Sequence, residues 1–138
     1  MKQAELQAAI YGALTGDAPL MELITGVYAD PQQVANPESD AVFPYVTIGE
    51  DVGTAWDTST DFGSSASVVV DAWSRSHNFT QAKNIASAVH TALHHQPLTI
   101  SGADHVMTMV ESVTVTRDPD GKTKRALIQI RVLYDGLE

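Results

Sequence analysis

Two β-rich runs joined by a tight-turn string constrain this chain more than any other feature. Residues 106–117 and 124–135 flank Asp118-Pro119-Asp120-Gly121. In that string Pro presets φ, Asp can accept backbone hydrogen bonds, and Gly tolerates a left-handed conformation. In the second run Ala126, Ile128, Ile130, Val132 and Tyr134 fall on one face. The other face carries Arg125, Gln129 and Arg131, with Leu127 and Leu133 among them. In the first run the apolar parity shifts near Glu111-Ser112, from Val106 and Val110 to Val113 and Val115. A one-residue shift inverts the faces, so a β-bulge is expected there. Twelve residues at about 3.3 Å each make an arm of about 40 Å. A domain of this length is about 37 Å across, so the hairpin should cross the whole molecule and can protrude from it.

The remaining elements follow from periodicity and capping signals. Leu6, Ala9, Ile10, Ala13 and Leu14 stand at helical spacing within residues 2–14, and Gly16 ends that helix. Asp17 can cap a short second helix that runs through Pro19 to Ile24. Residues 26–43 lack clear periodicity and contain Pro31 and Pro37, so part of the stretch should pair as an edge strand or serve a partner. Residues 44–49 and 67–73 read as strands. The Gly/Ser/Thr/Asp-rich connection over 49–66 reads as a long hairpin loop or mobile arm. Asn78 and Gln81 have the spacing of a capping box. Phe79, Ala82, Ile85, Ala86, Val89 and Leu93 then trace one helical face to about His95, before Pro97. The expected fold is α+β, a mixed, mainly antiparallel sheet whose long C-terminal hairpin packs against an N-terminal helix and one central helix. The chain reads as a single domain over residues 1–138.

Charge and composition exclude several classes of function. There is no cysteine, so disulfides, thiolate zinc sites and a Cys nucleophile are excluded. No run approaches the roughly 18 apolar residues of a membrane span, and Gln3 and Glu5 interrupt what would be a signal-peptide core. The expected setting is the cytoplasm, with no membrane partner. The net charge of −9 argues against wrapping nucleic-acid phosphates. Between Gln3 and Ser74 there are 11 acids and no Lys or Arg, whereas seven of the eight bases lie from Arg75 onward. The bland reading of this asymmetry is a solubilising surface. The sharper one is a subunit whose acidic side docks on the basic side of a neighbouring copy.

No catalytic or cofactor-binding constellation emerges. His90 and His94 are four apart on the central helix, but the apolar stripe uses Val89 and Leu93, so they read as a solvated flank rather than a zinc site. The strings beginning at Asp118 and at Asp57 lack the glycine and final glutamate positions of a calcium loop and read as turns. No nucleophile elbow and no phosphate-cradling glycine motif is present. Glu50 and Asp51 are adjacent at an expected strand end and point to opposite faces. The expectation is a non-enzymatic protein with no cofactor and no metal.

The ordered strings Phe43-Pro44-Tyr45-Val46-Thr47-Ile48-Gly49, Val69-Val70-Asp71-Ala72-Trp73-Ser74, the helix with Ala82, Ile85, Ala86, Val89 and Leu93, and Asp118-Pro119-Asp120-Gly121-Lys122-Thr123 run along nearly the whole chain. In this order they resemble the tail terminator family, the tail-completion and head–tail joining proteins of long-tailed phages and gene transfer agents. The resemblance implies an α+β virion subunit assembled in the bacterial cytoplasm. Copies would close into a ring, commonly of six, that caps the tail tube and meets the head connector or stopper protein. DNA would pass through the lumen without specific binding. Residues 28–42 receive no role from the resemblance. The alternatives are a neck or stopper protein of the same particle, and a monomeric small-ligand or peptide-binding α+β domain.

Within the 49–66 connection, Trp56 and Phe62 stand among small polar residues, where a solvated loop has little reason to keep large aromatics. Either they fold back onto their own core, or they anchor an interface whose rim carries Asp57 and Asp61. Trp56, Asp57, Asp61 and Phe62 are therefore the candidate interface residues.

Overall fold

Leu6, Ile10 and Leu14 recur every four residues, which places them on one face of a helix, and all three are buried in α1 (Gln3–Thr15). The computed structural model describes residues 2–29, 42–55 and 63–136. The Asp17 side chain accepts a hydrogen bond from Leu20 N at 3.1 Å and caps α2 (Ala18–Met21), with Pro19 in its first turn. The strands β1 (Val27–Tyr28), β2 (Tyr45–Ala55), β3 (Gly63–Ser74), β4 (Ala103–Arg117) and β5 (Lys124–Gly136) form one sheet in the order β1-β2-β3-β5-β4. The helix α3 (Thr80–Leu93) lies between β3 and β4 in the chain. β1 and β2 pair in parallel, and every other neighbouring pair is antiparallel. The fold is thus the expected α+β arrangement with its C-terminal hairpin.

Period-two patterning decides which face of the sheet the helices cover. Val46 and Ile48 of β2, Val68, Val70 and Ala72 of β3, and Ala126, Ile128, Ile130, Val132 and Tyr134 of β5 are buried in one cluster. Leu6, Ile10, Leu14 and Leu20 join that cluster from α1 and α2, and Ala82, Ile85, Ala86, Val89 and Leu93 join it from α3. The five α3 residues are those of the expected apolar stripe. Truncating one of these Leu or Ile side chains to Ala costs about 2–5 kcal/mol, so the inner layer fixes the register of every strand it touches.

The hairpin turn is built as its residues dictate. Gly121 takes φ +75° and its N–H donates to Asp118 O at 3.0 Å, while Asp118 N donates to Thr123 O at 2.8 Å. Asp120 accepts from Lys122 N, Thr123 N and Thr123 Oγ1 at 2.7–2.8 Å. The register shifts between Val110 and Ser112, where the parity change placed the bulge, and again between His105 and Met107. At 15 residues and about 3.3 Å each, β4 is about 50 Å long, longer than the sequence reading allowed.

Several expectations are corrected. Residues 49–66 are not one long loop. β2 continues to Ala55 and β3 starts at Gly63, with pairing through Val52↔Ser67 to Ala55↔Ser64. Gly and Ser have low strand propensity, but Ser64 and Ser65 also pair with Tyr134 and Leu133 of β5, and a partner on each side outweighs that preference. The capping box does not form. Phe79 is the N-cap without a side-chain bond, Asn78 Oδ1 accepts from Thr80 N, and Gln81 Oε1 accepts from the fully buried Ser74 hydroxyl. A buried hydroxyl left unbonded would cost more than a solvated helix end, so Gln81 serves the hydroxyl. Helix α2 stops at Met21 rather than Ile24, and α3 stops at Leu93 because His94 is extended and His95 has φ 57°. Glu50 and Asp51 sit in a mid-strand irregularity of β2, not at a strand end, and Asp51 accepts from Gln3 Nε2 at 2.9 Å. Part of the irregular stretch does pair at the edge, as β1, while residues 30–41 lie outside the described residues.

Candidate assembly surfaces

The face of the sheet opposite the helices carries no covering layer among the described residues. Alternation puts Val52, Ser67, Val69, Asp71, Trp73, Arg125, Leu127, Gln129, Arg131 and Leu133 on it; Val52 is 66% exposed and Gln129 is exposed, Asp71 is buried beneath its neighbours, and the others are half-buried. Its charges are compensated locally. Arg125 Nε donates to Asp71 Oδ1 at 2.8 Å, and Arg131 bridges Glu111 at 3.1 Å and Ser65 Oγ at 2.7 Å. The Asp71 carboxylate holds the Arg125 guanidinium even further above its usual range. At the β1–β2–β3 end the same face is an aromatic cluster. Tyr45 stacks on Trp73 at 6.4 Å and meets Tyr28 and Phe43 at 5.9 and 4.9 Å, while Arg75 and Arg125 lie over Phe43 and Trp73. Trp73 Nε1 donates to Thr47 Oγ1 at 3.0 Å, and burial pushes the Tyr45 hydroxyl pKa up.

The outer edge of β4 is half protected. His95 N donates to Thr108 O at 2.8 Å and Val110 N donates to His94 Nδ1 at 3.0 Å, so the end of α3 occupies the edge around residues 108–110. Beyond the bulge, residues 111–114 are exposed, and Val113 is 43% exposed. A β-branched run on a bare edge is a template for pairing with another chain.

Among the described residues the histidines are not gathered with further metal ligands. His90, His94 and His95 stack at 4.4 and 4.0 Å, but His94 Nδ1 is committed to the backbone, and no group of three or more potential ligands is gathered among the described residues. Burial and the neighbouring His95 and His90 push the His94 pKa down. The hydrogen bonds from Thr123 and Lys122 hold the Asp120 carboxyl down at about 2, which makes it a turn residue. Trp56, Asp57, Asp61 and Phe62 all lie outside the described residues, in the segment between β2 and β3. The sequence reading missed the aromatic cluster, whose members are spread from Tyr28 to Trp73. It also missed a cationic cleft at the turn end of the hairpin, although Arg117, Lys122 and Lys124 bracket that turn in the sequence.

Among the described residues the features left open to a partner are one face of the sheet and part of the β4 edge. Comparison with known proteins gives the chain a family. The family described as tail completion protein gp17 matches residues 8–135. The tail completion protein gp17 of Bacillus phage SPP1 is 31% identical over 126 residues, covering 91% of this chain and 89% of that protein. The chain belongs to the tail completion protein gp17 family. Among solved structures, a chain in the virion of a native gene transfer agent particle superimposes with a TM-score of 0.85 at 26% identity, covering 98% of both chains. The structure of bacteriophage SPP1 gp17 superimposes with a TM-score of 0.61 at 29% identity, covering 99% of this chain and 93% of that one.

Proposed function

We propose that this chain, acting as one domain over residues 1–138, is the tail terminator of a phage or phage-like particle. It is a structural virion component without catalytic activity that assembles with other virion proteins. Copies form a ring of six on the end of the tail tube and present a surface to the head connector or stopper protein, and DNA passes through the lumen without specific binding. One observation carries this reading. The chain is closer in shape to a subunit of the gene transfer agent virion than to the gp17 structure, although its identity to gp17 is higher. The likeness to a chain found in an assembled particle supports the reading. Ring subunits need one surface to meet a different surface of the next copy, with a rotation that closes. The bare sheet face and the β4 edge supply two such unlike surfaces. The segment with Trp56 and Phe62 as anchors and Asp57 and Asp61 at the rim is proposed as a further contact to a neighbouring subunit or the tube.

Imaging purified particles tests the proposal, with copy number measured by quantitative mass spectrometry. A ring of this chain at the tail–head junction, six copies per particle, is expected. Deleting its gene should leave tails of uncontrolled length that fail to join heads. Absence from particles, or a single copy per particle, would overturn it.

A further inference from the structure

The chain carries −9 overall, yet four of its eight Lys and Arg residues line one cleft. The cleft, about 350 Å³, is formed by Arg75, Ser76, His77, Arg117, Lys122 and Lys124 with Gly121, where the end of β3 meets the hairpin turn. Lys124 is only 4% exposed, and its ammonium donates to Lys122 O at 3.1 Å. Among the described residues no carboxylate pairs with Arg117, Lys122 or Lys124. Arg125 pairs with Asp71 and Arg131 with Glu111, and the nearby Asp120 is spent on the turn. The Lys124 ammonium has one carbonyl partner and lines the cleft, where an anion would add a charged one.

The other end of the same two strands has the complementary defect. Asp104 and Asp135 are direct cross-strand partners, and no Lys or Arg pairs with either among the described residues. Like charges directly opposite in a ladder destabilise it. β5 thus carries Lys124 at its turn end and Asp135 near its far end, and β4 carries Arg117 at its turn end and Asp104 near its far end. The two sites are separated by about 36 Å, eleven residues at about 3.3 Å, so one copy cannot satisfy itself.

We infer that the Asp104–Asp135 couple of one copy docks in the Arg117–Lys122–Lys124 cleft of the next, as a heterologous contact between copies. The inference rests on the assembly proposed above and adds to it a contact between the two ends of the hairpin. A duplex phosphate is the competing anion. The acidic surface of the rest of the chain repels a polyanion of that size, whereas a pair of carboxylates on a narrow strand end fits the cleft.

The chain has no cysteine, which makes thiol crosslinking selective. Particles are assembled with the Lys122→Cys/Asp135→Cys chain and treated with a short bis-maleimide. A ladder of covalently joined copies is expected, and its loss when either single variant is used alone. Charge reversal gives the second arm. Arg117→Glu/Lys122→Glu and Asp104→Lys/Asp135→Lys should each abolish incorporation, and co-expression of the two should restore it. Circular dichroism melting confirms that both fold. A particle that carries a normal ring but yields no ladder, or in which both reversals incorporate as wild type, overturns the contact and leaves the ring standing. Absence of any ring overturns the ring proposal itself. Retention of a DNA duplex by the wild-type chain, lost in Arg117→Glu/Lys122→Glu, would assign the cleft to phosphate and overturn the contact.

Discussion

Two ion pairs on the bare sheet face provide an internal comparison, because one is buried and the other is wet. In the first pair the Asp71 side chain is 7% exposed and that of Arg125 34%. In the second pair Arg131 and Glu111 are 38% and 36% exposed. Asp71→Ala removes the carboxylate from beneath a guanidinium held over Trp73 at 5.2 Å. A lost hydrogen bond to a charged group costs about 1.5–3 kcal/mol when the partner stays buried. Partial solvation of Arg125 lowers that to about 1.5–2 kcal/mol. Glu111→Ala should cost under about 0.5 kcal/mol, because the pair is exposed and Arg131 keeps its bond to Ser65 Oγ. At about 4 °C per kcal/mol for a chain of this size, the expected drops in Tm are about 6–8 °C and under about 2 °C. Both variants are melted by circular dichroism at dilutions where copies do not associate, since assembly would mask the difference. A double-mutant cycle of Asp71→Ala with Arg125→Ala should return a coupling of about 1 kcal/mol or more. Equal drops for the two variants, or a coupling near zero, would refute the claim that burial and not mere proximity sets the worth of these pairs.

Acid should loosen the hairpin turn through Asp120. Its folded pKa is depressed to about 2, so its contribution is full above its ordinary value near 3.8 and is lost as pH falls from there toward 2. NMR shifts of the Lys122 and Thr123 amides should report that loss, and Asp120→Ala should abolish it. The α3–β4 contact has its own acid limit. His94 accepts from Val110 N only when neutral, and its pKa lies below the ordinary 6.5, so the contact holds above that value and is lost as pH falls through the lowered one. Hydrogen exchange at the Val110 amide should accelerate in that range, and His94→Ala should exchange fast at every pH. Trp56→Ala should leave the monomer Tm unchanged while particles fail to terminate tails or join heads. A Tm drop matching the loss of a core Trp, about 3–5 kcal/mol, would place that side chain in the subunit's own core instead.

Amino-acid order alone determined the features whose physics is local or periodic. The α3 stripe from Ala82 to Leu93, the alternating β5 run and the Asp-Pro-Asp-Gly turn were legible because each encodes its own geometry. The β4 bulge was legible because a parity change has no other outcome in a one-sided sheet. The family likeness rested on the same ordered strings. Tertiary structure alone decided the rest. Residues 49–55 and 63–66 became strand because partners on the neighbouring strands supplied ladder bonds that Gly and Ser propensities do not announce. Gln81 abandoned the capping box because a buried Ser74 hydroxyl needed it more than an exposed helix end did. Above all, insertion of β5 between β3 and β4 brought Arg75 to the hairpin turn, and the two register shifts in β4 set Asp104 opposite Asp135. The first neighbourhood joins residues far apart in the chain, and the second depends on a register that the hairpin's turn alone does not fix.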